Sequence, residues 1–258
     1  APLARPATLV TLSIDASKGL DVPAPVTGEM RFTGVLASIA RQKFAGFSSA
    51  ERTRELRKVW RESFGAITPG KVATFNDPAN GDFVLTMTGT AQMEWTADLG
   101  TRWYEVDRSR IGWRLDINRE GGVSQDAPFA FNYPDWWGSK VSIVLPNGGK
   151  GFRVQGGDPV DKAVGDLFHF RRTVSLENGV MTMEADTRAL SAELPADRAP
   201  RARSEMVELA NGGVYIRAPN NYEPTEAEKE RTRKSDEAEA KAKAKKLPGE
   251  RDRARGGG

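Results

Sequence analysis

The stretch Leu167–Leu190, LFHFRRTVSLENGVMTMEADTRAL, constrains the fold more than any other part of the chain. Asn178-Gly179 supplies the two left-handed positions of a tight hairpin turn, so Glu177 faces Val180. Counting outward pairs Leu176 with Met181, Val174 with Met183, Arg172 with Ala185, Phe170 with Thr187 and Phe168 with Ala189. Side chains alternate along a strand, so these residues share one mostly apolar face. The other face takes Ser175 with Thr182, Thr173 with Glu184, Arg171 with Asp186 and His169 with Arg188, and reads as a solvated surface. The lone histidine thus falls on the wet face opposite an arginine, a poor place for a general base or a metal ligand.

The same alternation recurs through much of the chain. Thr8–Asp15 sets Val10, Leu12 and Ile14 against Thr11, Ser13 and Asp15, and Gly28–Thr33 is a second strand after a Gly/Pro-rich loop at 16–26. Ser48 and Glu51 have the spacing of a capping box. They open a helix over about 48–64 that places Leu56, Val59, Trp60 and Phe64 on one face. Lys71–Phe75 and Phe83–Trp95 form a hairpin, with Gly89 marking a bend or bulge in its long second arm. Arg102–Asp107 and Ile111–Ile117 are further strands, the latter with Ile111, Trp113, Leu115 and Ile117 on one face. Asn118–Gly122 is the best boundary between lobes. Beyond it lie strands at Val141–Leu145 and Gly151–Gln155, a helix over about 196–210 and a closing edge strand at Val214–Arg217. From Glu223 onward Ala is almost the only apolar residue type before Leu247, so the segment is a charged tail, disordered or helical through i,i+4 pairs.

Composition narrows the chemistry. There is no cysteine, which removes disulfides, thiolate metal sites and cysteine nucleophiles. The net charge of +3 comes from 38 basic and 35 acidic residues, too balanced for a nucleic-acid surface. No apolar run reaches the ~18–20 residues of a membrane helix. The chain starts at Ala1 without an apolar leader and reads as a processed product or an excised piece. A Ser-His-Asp triad would have to recruit His169, and no nucleophile elbow, Walker loop or dinucleotide fingerprint is present. No metal or other cofactor is implied. Glu94, Glu105, Asp107, Asp116, Asp135, Glu184 and Asp186 could still pair in space as a glycosidase requires, although such residues in a sandwich are mostly surface ion-pair partners.

One cluster invites a binding role. Phe129, Phe131, Tyr133, Trp136 and Trp137 crowd a proline-broken segment. Read as a ligand platform, Tyr133, Trp136 and Trp137 would take sugar or peptide; read as core, the rings plug the sandwich.

Several motifs together resemble a known family. They are LSIDASKGLDVPAP (12–25), SSAERTRELRKVW (48–60), LTMTGTAQMEW (85–95), DAPFAFNYP (126–134), VLPNGGKGFRV (144–154) and RRTVSLENGVMTMEAD (171–186). In order and kind, across about residues 8–222, they resemble the C-terminal region of bacterial transglutaminase-like proteins that also carry an N-terminal β-rich domain of unknown function. In whole members a papain-like core with Cys, His and Asp lies upstream, and no residue here matches those roles. The resemblance implies a non-catalytic β-sandwich portion of an exported, periplasmic enzyme that braces the catalytic domain or presents a protein substrate.

The expectation is a mainly β protein with a few helices, built as two antiparallel sandwich-like lobes. They are residues 1–120 with one amphipathic helix and residues 121–222 with the 167–190 hairpin, followed by a charged tail, 223–258. Its expected role is an accessory or interaction module without catalytic residues, nucleic-acid partner or membrane span. The alternative is a free-standing periplasmic binding module for carbohydrate or cell-envelope ligands using Trp136 and Trp137.

Overall fold

The computed structural model describes residues 3–98, 100–113, 116–117 and 125–246. In chain order the strands are β1 (Thr8–Asp15), β2 (Ala24–Phe32), β3 (Ile67–Asp77), β4 (Asp82–Ala91), β5 (Thr96–Asp98), β6 (Thr101–Glu105) and β7 (Phe129–Ala130). They continue with β8 (Trp136–Val144), β9 (Arg153–Gln155), β10 (Val160–Val164), β11 (Phe168–Glu177), β12 (Val180–Ala189), β13 (Glu193–Leu194) and β14 (Tyr215–Arg217). The helices are α1 (Gly34–Ala45), α2 (Ser49–Ser63), α3 (Ala199–Asn211) and α4 (Glu226–Lys246).

The protein is mainly β. Its frame is an eight-stranded sheet in the order β10-β11-β12-β8-β1-β2-β4-β3, accompanied by a four-stranded sheet β5-β6-β14-β9. The β11–β12 hairpin has the register that its Asn-Gly turn dictates, from Glu177 opposite Val180 out to Phe168 opposite Ala189. The two lobes expected on either side of residue 120 share the large sheet: β1 pairs with β8 in parallel, Leu12 beside Val141 and Ile14 beside Ile143. Parallel neighbours this far apart in sequence have no turn between them to announce the pairing.

One face of the large sheet carries the apolar residues. A first core gathers Leu12, Met30, Leu85, Ile143 and Met183 from that face, with Trp60 of α2 and Ile216 of the small sheet packed onto them. Gly28 is what lets α2 come down: a Cβ there would lie 2.6 Å from the Trp60 ring. A second core joins Phe168, Phe170 and Ala185 to Ala202 and Met206 of α3. Arg172 sits on the same face where the two cores meet, 5% exposed. The opposite face is polar, with Lys140 paired to Glu184 and Arg31 to Asp77.

Local signals set many elements. The capping box at Ser48 and Glu51 is formed in both directions and starts α2. The β3–β4 register slips between Pro69 and Lys71, opposite Gly89. Three differences have physical causes. β2 begins at Ala24, inside the stretch read as a loop, because antiparallel pairing to β4 overrides its prolines and glycine. α1 carries only a weak helical stripe, and Val35 and Ile39 stay exposed. Ile111–Trp113 is not a strand, and Leu115 and the whole of the 118–122 boundary lie outside the described residues.

The charged segment begins with a fixed anchor. Thr225 and Glu228 form a capping box, with the Glu228 amide donating to Thr225 Oγ1 and Glu228 Oε2 accepting from the Thr225 amide. The Glu228 carboxylate, 6% exposed as a residue, also accepts from the amide of Leu20 at 2.9 Å and the hydroxyl of Tyr222 at 2.6 Å. Gly19, at φ +131°, leaves room for it, since a Cβ there would stand 2.3 Å from the glutamate side chain. Burial and the adjoining Glu228 carboxylate push the Tyr222 phenol up. Past this anchor α4 is held by its own i,i+3 and i,i+4 ion pairs around Glu230 and Arg233.

Candidate functional site

The aromatic residues of 129–137 separate according to the strands that carry them. Phe129 and Phe131 pack against the second core, Phe131 edge-on to Phe168 at 5.7 Å. Tyr133, 40% exposed, precedes a cis peptide to Pro134. Trp136 and Trp137 are consecutive in β8, so they point to opposite faces of the sheet. Trp136 belongs to the outer face, where its indole N–H donates to Asp186 at 3.2 Å and the Arg188 guanidinium lies 4.8 Å over its ring. Trp137 belongs to the inner face, beside Thr187 on one neighbouring strand and Thr8 on the other. Strand alternation therefore sets Trp136 and Trp137 on opposite faces of the sheet, and of Tyr133, Trp136 and Trp137 it is Trp137 that lines a cavity.

That cavity is a groove in two adjoining parts of about 280 and 700 Å³, which share Asn132, Asp135 and Trp137 as a common wall. The smaller part reaches Thr187 and Phe168 of the hairpin, and the larger runs over Thr8 and Val10 of β1 to the first turn of α1, Val35 and Leu36. Its walls come from elements fixed in the two cores, so the opening is built into the fold.

Among the described residues, two polar groups in the groove have buried atoms without a hydrogen-bond partner. Thr187 is 2% exposed and its hydroxyl has no hydrogen-bond partner. Arg108 lines the larger part with its Nε buried and unbonded. Its guanidinium stands 4.8 Å over the Phe64 ring, and its backbone occupies the left-handed region at φ +60°. A non-glycine residue in that region carries a conformational cost of about 1–2 kcal/mol. Burial pulls the Arg108 pKa down against the opposing charge of Asp107; the guanidinium nevertheless stays protonated at neutral pH. Asp107 itself is pushed up by burial, a shift opposed by the hydroxyl that Tyr104 donates to it at 3.3 Å.

The other candidates are occupied elsewhere. His169 lies on the outer face with Nε2 2.6 Å from Asp161, and no hydroxyl is hydrogen-bonded to it among the described residues. Glu105 pairs with Arg110, and Glu184 with Lys140. Glu94 and Asp116 are exposed. Asp135 alone of the acids singled out from the sequence lines the groove. Among the described residues no three His, Asp or Glu side chains gather as a metal site would require.

The fold and groove define a mainly β protein with a ligand-sized cleft on the covered face of its sheet. No protein-family model matches the chain, and neither the curated proteins nor the solved structures yield a match.

Sequence reasoning missed Arg108, because nothing in the run Asp107-Arg108-Ser109 announces a left-handed arginine. Thr187 was legible. The hairpin register already put it, with Arg172, as a polar intruder on the apolar face.

Proposed function

We propose that the chain is a non-catalytic interaction module of an exported transglutaminase/protease-like protein, and that it holds a polypeptide segment in the Trp137 groove. The groove carries this reading: a preformed cleft with an aromatic wall, apolar lips and unpartnered polar atoms is the form of a binding site. The motifs of residues 8–222 support the placement beside a papain-like catalytic domain and in the periplasm. The outward position of His169, against the Asp161 carboxylate, supports a role without bond chemistry.

The test uses the purified chain and an unfolded polypeptide such as carboxymethylated casein. Binding that shifts tryptophan fluorescence and is lost in Trp137→Leu, with the polypeptide's mass unchanged after incubation, is the expected result. Cleavage or cross-linking of the polypeptide by the chain alone would sink the proposal, as would binding that ignores Trp137.

A further inference from the structure

We infer that the groove selects polypeptide segments bearing a single carboxylate side chain, seated on Arg108, with apolar neighbours along Trp137 and the first turn of α1. The inference rests on the reading of the groove as a polypeptide site and adds what that site recognises.

The argument begins with what the guanidinium lacks. Arginine presents five N–H donors in a planar fork suited to a carboxylate. Among the described residues Arg108 makes no hydrogen bond to an acceptor and no ion pair, and its Nε is already out of water. The Phe64 ring beneath it holds the fork in place without consuming a donor. A carboxylate arriving from the groove would meet a cation already oriented and partly desolvated at Nε, a condition that favours a charge-assisted, two-point pair.

The surroundings define the rest of the ligand. Val35 is 75% exposed and Leu36 37%, and both line the same cavity as Arg108. The groove thus offers apolar surface together with the one cation that lines it among the described residues, matching an acid flanked by apolar residues. Asp135, on the wall shared with the smaller cavity, limits the charge. A second acid in the ligand would be driven off by it, whereas a backbone amide would be accepted. Deeper in, the unpartnered hydroxyl of Thr187 can bond a backbone group of the same segment. A run of acids is therefore a poorer ligand than one acid in an apolar setting.

The test compares two extended peptides, blocked at both ends, one with a single glutamate among leucines and the other with glutamine in its place. Calorimetric titration of the full chain should show the glutamate peptide binding about ten-fold tighter. The difference should narrow at high salt. Arg108→Gln should bring the glutamate peptide to the affinity of its glutamine counterpart, with the urea midpoint no lower than that of the native protein. Equal binding of both peptides by the native chain, still lost in Trp137→Leu, overturns the acid selection and leaves the polypeptide reading standing. Failure of both peptides, together with failure of the unfolded polypeptide, overturns both.

Discussion

Arg172 and Arg108 are both drawn into the covered side of the molecule, and they are treated in opposite ways. Arg172 donates to the backbone carbonyls of Ser109 at 2.6 Å, Gly212 at 2.5 Å and Gly156 at 3.1 Å. It ties three loop segments to the sheet at the meeting point of the two cores. Burial depresses its pKa, opposed only by the charge of Asp158, and the carbonyl dipoles take the place of a carboxylate. Arg108 is buried enough to lose water at Nε, yet among the described residues no acceptor meets it. A desolvated polar group left without a partner costs about 1–3 kcal/mol. Both arginines keep an unbonded Nε, but Arg172 has three carbonyl partners on its terminal nitrogens whereas Arg108 has no acceptor among the described residues, so the stability is forgone mainly at Arg108, which is where a ligand would restore it.

The comparison breaks most visibly at Arg172. Arg172→Met takes the donors from three carbonyls, the buried one of Ser109 and the partly buried ones of Gly212 and Gly156, and we expect a loss of about 3 kcal/mol in urea unfolding. A loss below about 0.5 kcal/mol would mean that the three loops hold without it. Glu228 extends the same logic to an anion, satisfied by amides instead of carbonyls. Glu228→Ala should cost about 2 kcal/mol of helix docking. It would be read as faster amide exchange in the first turns of α4 with exchange in α2 unchanged, and equal exchange in both proteins would argue that the anchor is idle. The smallest effect sharpens the contrast from the other side. At φ +60° Arg108→Gly should be more stable than Arg108→Ala by about 1 kcal/mol, since both remove the guanidinium and only glycine relieves the backbone. Equal stabilities would show that no strain is stored there.

How far these features were legible follows from their range in sequence. The hairpin register, the α2 capping box and the bulge opposite Gly89 depend on residues within a few positions of one another, and each stands where the pattern put it. The Thr225-x-x-Glu228 cap was equally local, but it was hidden because the segment offers no apolar face to go with it. The burial of Glu228 depends on Leu20, more than two hundred residues away. The aromatic cluster is divided between two faces for an elementary reason: adjacent residues in a strand cannot face the same way, and that rule applies because β8 begins at Trp136.

Side-chain alternation and turn chemistry by themselves made this chain a mainly β protein, placed His169 outside and put Arg172 and Thr187 on the apolar face. Tertiary structure decided that β1 and β8 lie side by side, that the two halves therefore share one sheet, and that a groove opens between its cores with Arg108 unpaired. The reason is physical. Periodicity records which face a residue takes along its own strand, whereas the neighbour of that strand is chosen by packing across the whole chain.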